Sequence, residues 1–202
     1  MTGQAVTPSR RRVQWVTTWV SGLGHPLLTV AGFVAFCAFR LLEAQAAWWT
    51  TGGVIGLVLL PLAAWNYRQM RTGVYSNFDV SVREQRRSFY PLLLCLLGAA
   101  TALLFWARVA APFRYGMLIG WSLLAACFLV NFRLKVSLHA AISFFIACTL
   151  FMLDGHWGTV ALGLASLVAA SRLVLGRHSV LELLVGAGLG IVAAGGLWLL
   201  LG

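Results

Sequence analysis

"VLELLVGAGLGIVAAGGLWLLL", residues 180–201, decides the fold class. Its 22 residues carry one charge, Glu182, and no sustained apolar–polar alternation. A run near the ~20 residues that cross a bilayer as a helix reads as a membrane span. Lipid offers no water to unpaired backbone groups, so a span is a helix or part of a closed barrel, and an unalternating run is not a barrel strand. The glycines Gly186, Gly188, Gly190, Gly195 and Gly196 suit close helix packing better than ligand binding.

Outward from this stretch, similar runs lie at roughly 25–42, 47–66, 91–109, 114–131, 137–153 and 156–172. The first is broken at His25-Pro26 and the fifth is short. The chain is 60% hydrophobic and 10% charged, against about 25% charged for a soluble domain. Together these predict an all-α, polytopic integral membrane helical bundle of about six to seven transmembrane helices. Residues 1–12 read as a basic, disordered arm, and 13–23, "VQWVTTWVSGL", as a short interfacial helix. Residues 1–24 are thus an appendage and 25–202 the membrane-embedded domain. Arg10 to Arg12 precede apolar sequence, but that sequence leads into a full-length span without a small-residue cleavage site, so no cleavable signal peptide is expected.

The net charge of +10 does not read as nucleic-acid binding, because the basic residues lie in short connections between spans. There they set topology and meet acidic lipid headgroups. Seven spans place Arg10, Arg11, Arg12, Arg68, Arg71, Arg83, Arg86, Arg87, Arg133, Lys135, Arg172 and Arg177 on one side, and Arg40, Arg108 and Arg114 on the other. That 12-to-3 split predicts a cytoplasmic position for the rich side in the cell (inner) membrane. Cys37, Cys95, Cys127 and Cys148 each lie inside an apolar run, without metal-ligand spacing, and read as buried thiols.

The long polar connection, 67–90, contains Ser81-Val82-Arg83-Glu84, a capping-box pattern that predicts a short helix from Ser81, with Arg83 and Arg87 on one face and Arg86 beside them. Three segments converge on the basic side: this arginine helix, "KVSLH" at 135–139, and "SRLVLGRHSVLE" at 171–182. Clustered arginines without matching acids form a receptor for phosphate. His139 and His178 beside it supply a nucleophile and a proton donor. Glu182, four residues after His178, is placed to hold an imidazole N–H.

Ser171-Arg172, five residues, His178, three residues, Glu182 resembles the third signature of the type-2 phosphatidic acid phosphatase superfamily, with Glu for Asp. "VSLH" resembles the second, keeping Ser137 and His139 but with Val136 and Leu138 for Pro and Gly. The first signature is not present as written; Arg83, Arg86, Arg87 and Pro91 stand where it falls in chain order. The resemblance covers about residues 80 to 200 and suggests a divergent, bacterial-type member. It implies an integral-membrane phosphatase of lipid or polyprenyl phosphates that needs no metal or other cofactor. In it His178 forms a phosphohistidine, Glu182 orients His178, and His139 protonates the leaving group. Arg172, with Arg83, Arg86 or Arg87, neutralises the phosphoryl oxygens, helped by Lys135 and the backbone around Ser137 and Leu138; Ser171 opens the signature on the phosphate side. The expected partners are the lipid substrate and membrane lipids.

Blander readings stand beside this. Arg133, Lys135, Arg172 and Arg177 also suit snorkelling span ends, His178 with Glu182 a structural helix pair, and His139 a satisfied polar contact. His25 reads as a helix-start residue facing the site side, and Asp154-Gly155-His156 as a turn on the other side. A lipid phosphotransferase, a small transporter using Glu182, and a non-catalytic membrane subunit are the competing functions.

Overall fold

The computed structural model describes residues 8–202, with side chains from Gln14 onward. The described residues form eight helices and no strand, an all-α membrane-type bundle. They are α1 (Pro8–Leu23), α2 (Pro26–Leu41), α3 (Ala44–Arg71), α4 (Arg86–Trp106), α5 (Ala111–Asn131), α6 (Leu138–Leu153), α7 (Gly155–Val174) and α8 (Val180–Leu201). Five of them, α3, α4, α5, α7 and α8, are each long and apolar enough to cross a membrane. All seven expected spans appear as helices; α2 and α6 are the shorter ones, at 16 residues each.

Large apolar side chains face outward, as lipid contact requires: Trp106 and Leu199 are both 82% exposed. Trp48, Trp49, Trp106, Trp157 and Trp198 gather at the helix ends away from the basic loops, an aromatic belt of the kind found at membrane interfaces. Inside, Leu93, Leu123, Cys127, Val136, Phe145 and Leu197 belong to one packed core.

Two expectations change at the N-terminus and in the polar loop. Helix α1 begins at Pro8, so the basic arm is helical from there, and only residues 1–7 of it lie outside the described residues. Rather than lying apart at the interface, α1 packs on α7 and meets α2 at a 44° bend. His25 and Pro26 make that bend: the His25 Nδ1 accepts the Leu27 N–H (3.2 Å), and Pro26 begins α2, where its missing N–H costs nothing. In the loop, no helix starts at Ser81. Its N–H goes to the Asn77 Oδ1 (3.2 Å) and its hydroxyl accepts from Asn77 and Arg177, so it is not free to cap, and α4 starts at Arg86 instead.

Within α3, residues Ile55–Leu59 widen into a π-turn, and the Leu60 N–H reaches the Ile55 carbonyl. Pro61 follows directly; lacking an N–H and clashing with the carbonyl four residues back, it favours such a local rewinding.

The contact that positions the site is α6 against α8. A Cβ added at Gly186 would lie 2.6 Å from the Ser137 carbonyl oxygen, and one at Gly190 would lie 2.3 Å from that of Ala141. The two backbones therefore touch, which only glycine permits. Gly188, between them, has nothing within 4 Å. Gly190→Val is accordingly expected to destabilise the bundle by about 1–3 kcal/mol through overpacking, and Gly188→Val to leave it unchanged. Thermal unfolding of both variants in one detergent tests this; equal midpoints would mean the helices do not touch there.

Candidate active site

The N-terminus of α8 builds the first half of the site. Ser179 caps the helix: its hydroxyl accepts the Glu182 N–H (3.3 Å), and the Ser179 N–H donates back to the Glu182 Oε2 (3.2 Å). The capping box expected at Ser81 thus forms here. The same carboxylate oxygen lies 2.8 Å from the Nδ1 of His178. A carboxylate accepts, so Nδ1 carries the proton and Nε2 carries the lone pair. That Nε2 is buried and has no partner. Burial pushes the His178 imidazole down to about 4, helped by Arg86, Lys135 and Arg172, while the Glu182 hydrogen bond pulls the other way.

The second half is the turn into α6. Ser137 caps α6 by accepting the Ala140 N–H (3.4 Å), and its own N–H donates to the Glu182 carbonyl (3.2 Å). This bond and the glycine contact bring residues 137–139 beside 178–182. His139, in the first turn of α6, is buried, and its Nε2 also has no partner. Lys135 donates to the Arg177 carbonyl (2.7 Å), closing the two loops on each other, and its burial lowers its proton affinity.

Arg172 ends α7 with its side chain only 2% exposed. Its Nη1 donates to the Ser21 hydroxyl (2.6 Å) and to the Asp79 Oδ2 (2.9 Å), while its Nε is buried without a partner. Arg86 is likewise buried, donating from Nε to the Val80 carbonyl (3.0 Å) and from Nη1 to the Val136 carbonyl (2.5 Å). Among the three candidate arginines of that segment, Arg86 is the one turned inward. Arg83 staples the loop to the end of α5, donating to the carbonyls of Asn131 and Phe132. Arg87 is exposed and lines a small dent with Arg83, Glu84 and Asn131. The Ser171 hydroxyl donates to the Val168 carbonyl of its own helix (2.6 Å), so its proton is not offered to the site.

Asp79 and His25 complete the cluster, and sequence reasoning gave neither a role in it. The His25 Nε2 lies 3.2 Å from the Asp79 Oδ1, and the His25 ring meets the His139 ring edge-on at 5.5 Å. Burial alone would raise the Asp79 carboxyl, but the His25 hydrogen bond and the nearby His139 and Arg172 outweigh it and hold it well below the usual carboxylate range. Next to it Val80 sits at φ 47°, a left-handed conformation that a β-branched residue rarely adopts. The strain aims the Val80 carbonyl at Arg86 beside the Asp79 carboxylate. The one signal in the sequence was an acid, among only five in the chain, within the arginine-rich loop.

His25, Asp79 and His139 bring donor atoms within 4.8 Å of one another, a two-histidine, one-carboxylate set. Yet the His25 Nδ1 already accepts an N–H, which leaves the ring proton on the Nε2 that faces Asp79. The nitrogen a metal would need is therefore a donor, and Arg172 holds the other carboxylate oxygen. The residues fit a hydrogen-bonded charge cluster better than a cation site. On the opposite side, Asp154 caps α7 through the N–H groups of His156 (3.0 Å) and Trp157 (3.3 Å), consistent with a structural turn.

Two bare imidazole nitrogens thus adjoin three buried or half-buried cations, Arg86, Arg172 and Lys135. Such a pocket can accept an anion, attack it and protonate what leaves. No family model, no curated protein and no solved structure matches the chain.

Proposed function

We propose that the protein is an integral-membrane phosphatase that removes phosphate from a lipid or polyprenyl phosphate through a phosphohistidine. The observation that carries this reading is His178: buried, its Nδ1–H held by Glu182, its Nε2 bare and facing no protein partner. The His178 Nε2 attacks phosphorus, forming the N–P bond as the P–O bond to the lipid breaks. His139, protonated at Nε2 once the phosphate anion settles beside it, gives that proton to the departing alkoxide. Water then attacks the phosphohistidine, His139 takes the water's proton, and the N–P bond breaks to release phosphate. Arg172, Arg86 and Lys135 stabilise the phosphoryl oxygens throughout, since phosphoryl transfer needs mainly positioning and charge. The motif resemblance agrees with these roles. The distribution of basic residues supports a cytoplasmic site in the inner membrane.

Phosphate release from a panel of lipid phosphates and polyprenyl diphosphates, measured in EDTA, tests the reading. Release from at least one substrate is expected. Absence of release, both in water and with alcohol acceptors added, would overturn it. Release appearing only with an acceptor would make the protein a phosphotransferase using the same site.

A further inference from the structure

A cavity of about 210 Å³ runs through the bundle from the His139 and Arg86 edge of the candidate active site; His178 is not in its wall. His25, Asp79, Arg86 and His139 stand at one end, and Leu41, Leu153 and Leu201 at the other. These ends are separated by the length of α2, whose 16 residues rise about 24 Å. Apart from the charged end the wall is almost wholly apolar, with Val30, Phe33 and Leu93 among its residues.

We infer that this cavity holds a hydrocarbon chain of the substrate inside the bundle, with the phosphate it carries at the charged end. The inference rests on the phosphatase reading above for the headgroup, but not for the tail. A cavity of about 150 Å³ takes one benzene. A space of 210 Å³ is larger than that, so it has room for part of a hydrocarbon chain. The wall also shows how the width is made: Gly116 and Gly120, one turn apart on α5, both line the cavity, and a Cβ at either would meet nothing within 4 Å. At the headgroup end, the His139 Nε2 is buried and unpartnered. A chain lying in the cavity therefore ends its polar head at the imidazole that the proposed chemistry needs.

The test uses the protein in lipid nanodiscs and a straight-chain alkyl phosphonate, which cannot be hydrolysed, carrying a photoreactive diazirine at its tail end. After irradiation, peptides bearing the label are mapped by mass spectrometry. Label on α2 near Leu41 and α6 near Leu153, competed by unlabelled alkyl phosphonate, is the expected result. Gly120→Leu, which fills the cavity midway, is expected to cut that labelling about tenfold for the long probe and to spare a probe too short to reach residue 120. Label confined to outward-facing residues such as Leu57, Leu164 and Leu199 would overturn the inference. Because labelling needs no turnover, far-end label without phosphate release would retain the tail site and sink the phosphatase, and release with outward label would do the reverse.

Discussion

Replacing His178 with alanine is expected to lower phosphate release about 10³-fold or more, because it removes the group proposed to form the covalent intermediate. His178→Gln serves as a second variant that keeps bulk and polarity in the buried position. Release that survives either change would place the chemistry elsewhere. The same residue sets a pH signature. With its proton affinity pushed down to about 4, His178 stays a free base across pH 5–8, so its acid limb in kcat/KM falls near pH 4 rather than near the ordinary 6.5. Stability follows with a definite sign. As pH falls below about 6.5 the unfolded chain takes up the proton first, so stability declines until about pH 4 and is full above 6.5. His178→Gln removes that slope; superimposable unfolding profiles for the two proteins would mean that the imidazole is not buried neutral.

Asp79→Ala is expected to destabilise the protein by about 3 kcal/mol, since it strips Arg172 of its buried counter-charge and His25 of its acceptor. Unfolding in detergent measures this. The loss is expected to shrink in Asp79→Ala combined with Arg172→Met, where no unpaired charge remains. An undiminished loss in the double variant would show that Asp79 acts on something other than the guanidinium. With Asp79 gone Arg172 keeps only Ser21, so KM for substrate is expected to rise alongside, whereas a purely structural Asp79 would leave KM of the surviving folded protein untouched.

What could be read from the chain divides by sequence separation. Apolar runs need only a bilayer to become helices, so all seven expected runs are helices, and five of them are long and apolar enough to cross a membrane. His178 and Glu182 are four apart, and one helical turn delivers their contact. Arg172 meets Asp79 across 93 residues and Ser21 across 151, and no local rule encodes either pairing. The choice of Arg86 over Arg83 and Arg87 had the same origin: it turns on carbonyls of Val80 and Val136 that only the folded loop presents. The capping-box pattern expected at Ser81 fails because Asn77 claims that serine, while the same Ser-x-x-Glu spacing at Ser179 does form the cap. Local rules name candidates for a cap; the neighbours decide which one is used.

The backbone contact between α6 and α8 sets an order of assembly. His139 enters the membrane with α6, but its partners His178 and Glu182 arrive only one span later, with α7 between them. Until α8 inserts and its glycines settle on the Ser137 and Ala141 carbonyls, no nascent chain holds both imidazoles together. The proposed chemistry would therefore await the finished bundle, and a chain stalled during insertion would be inert towards the lipids around it.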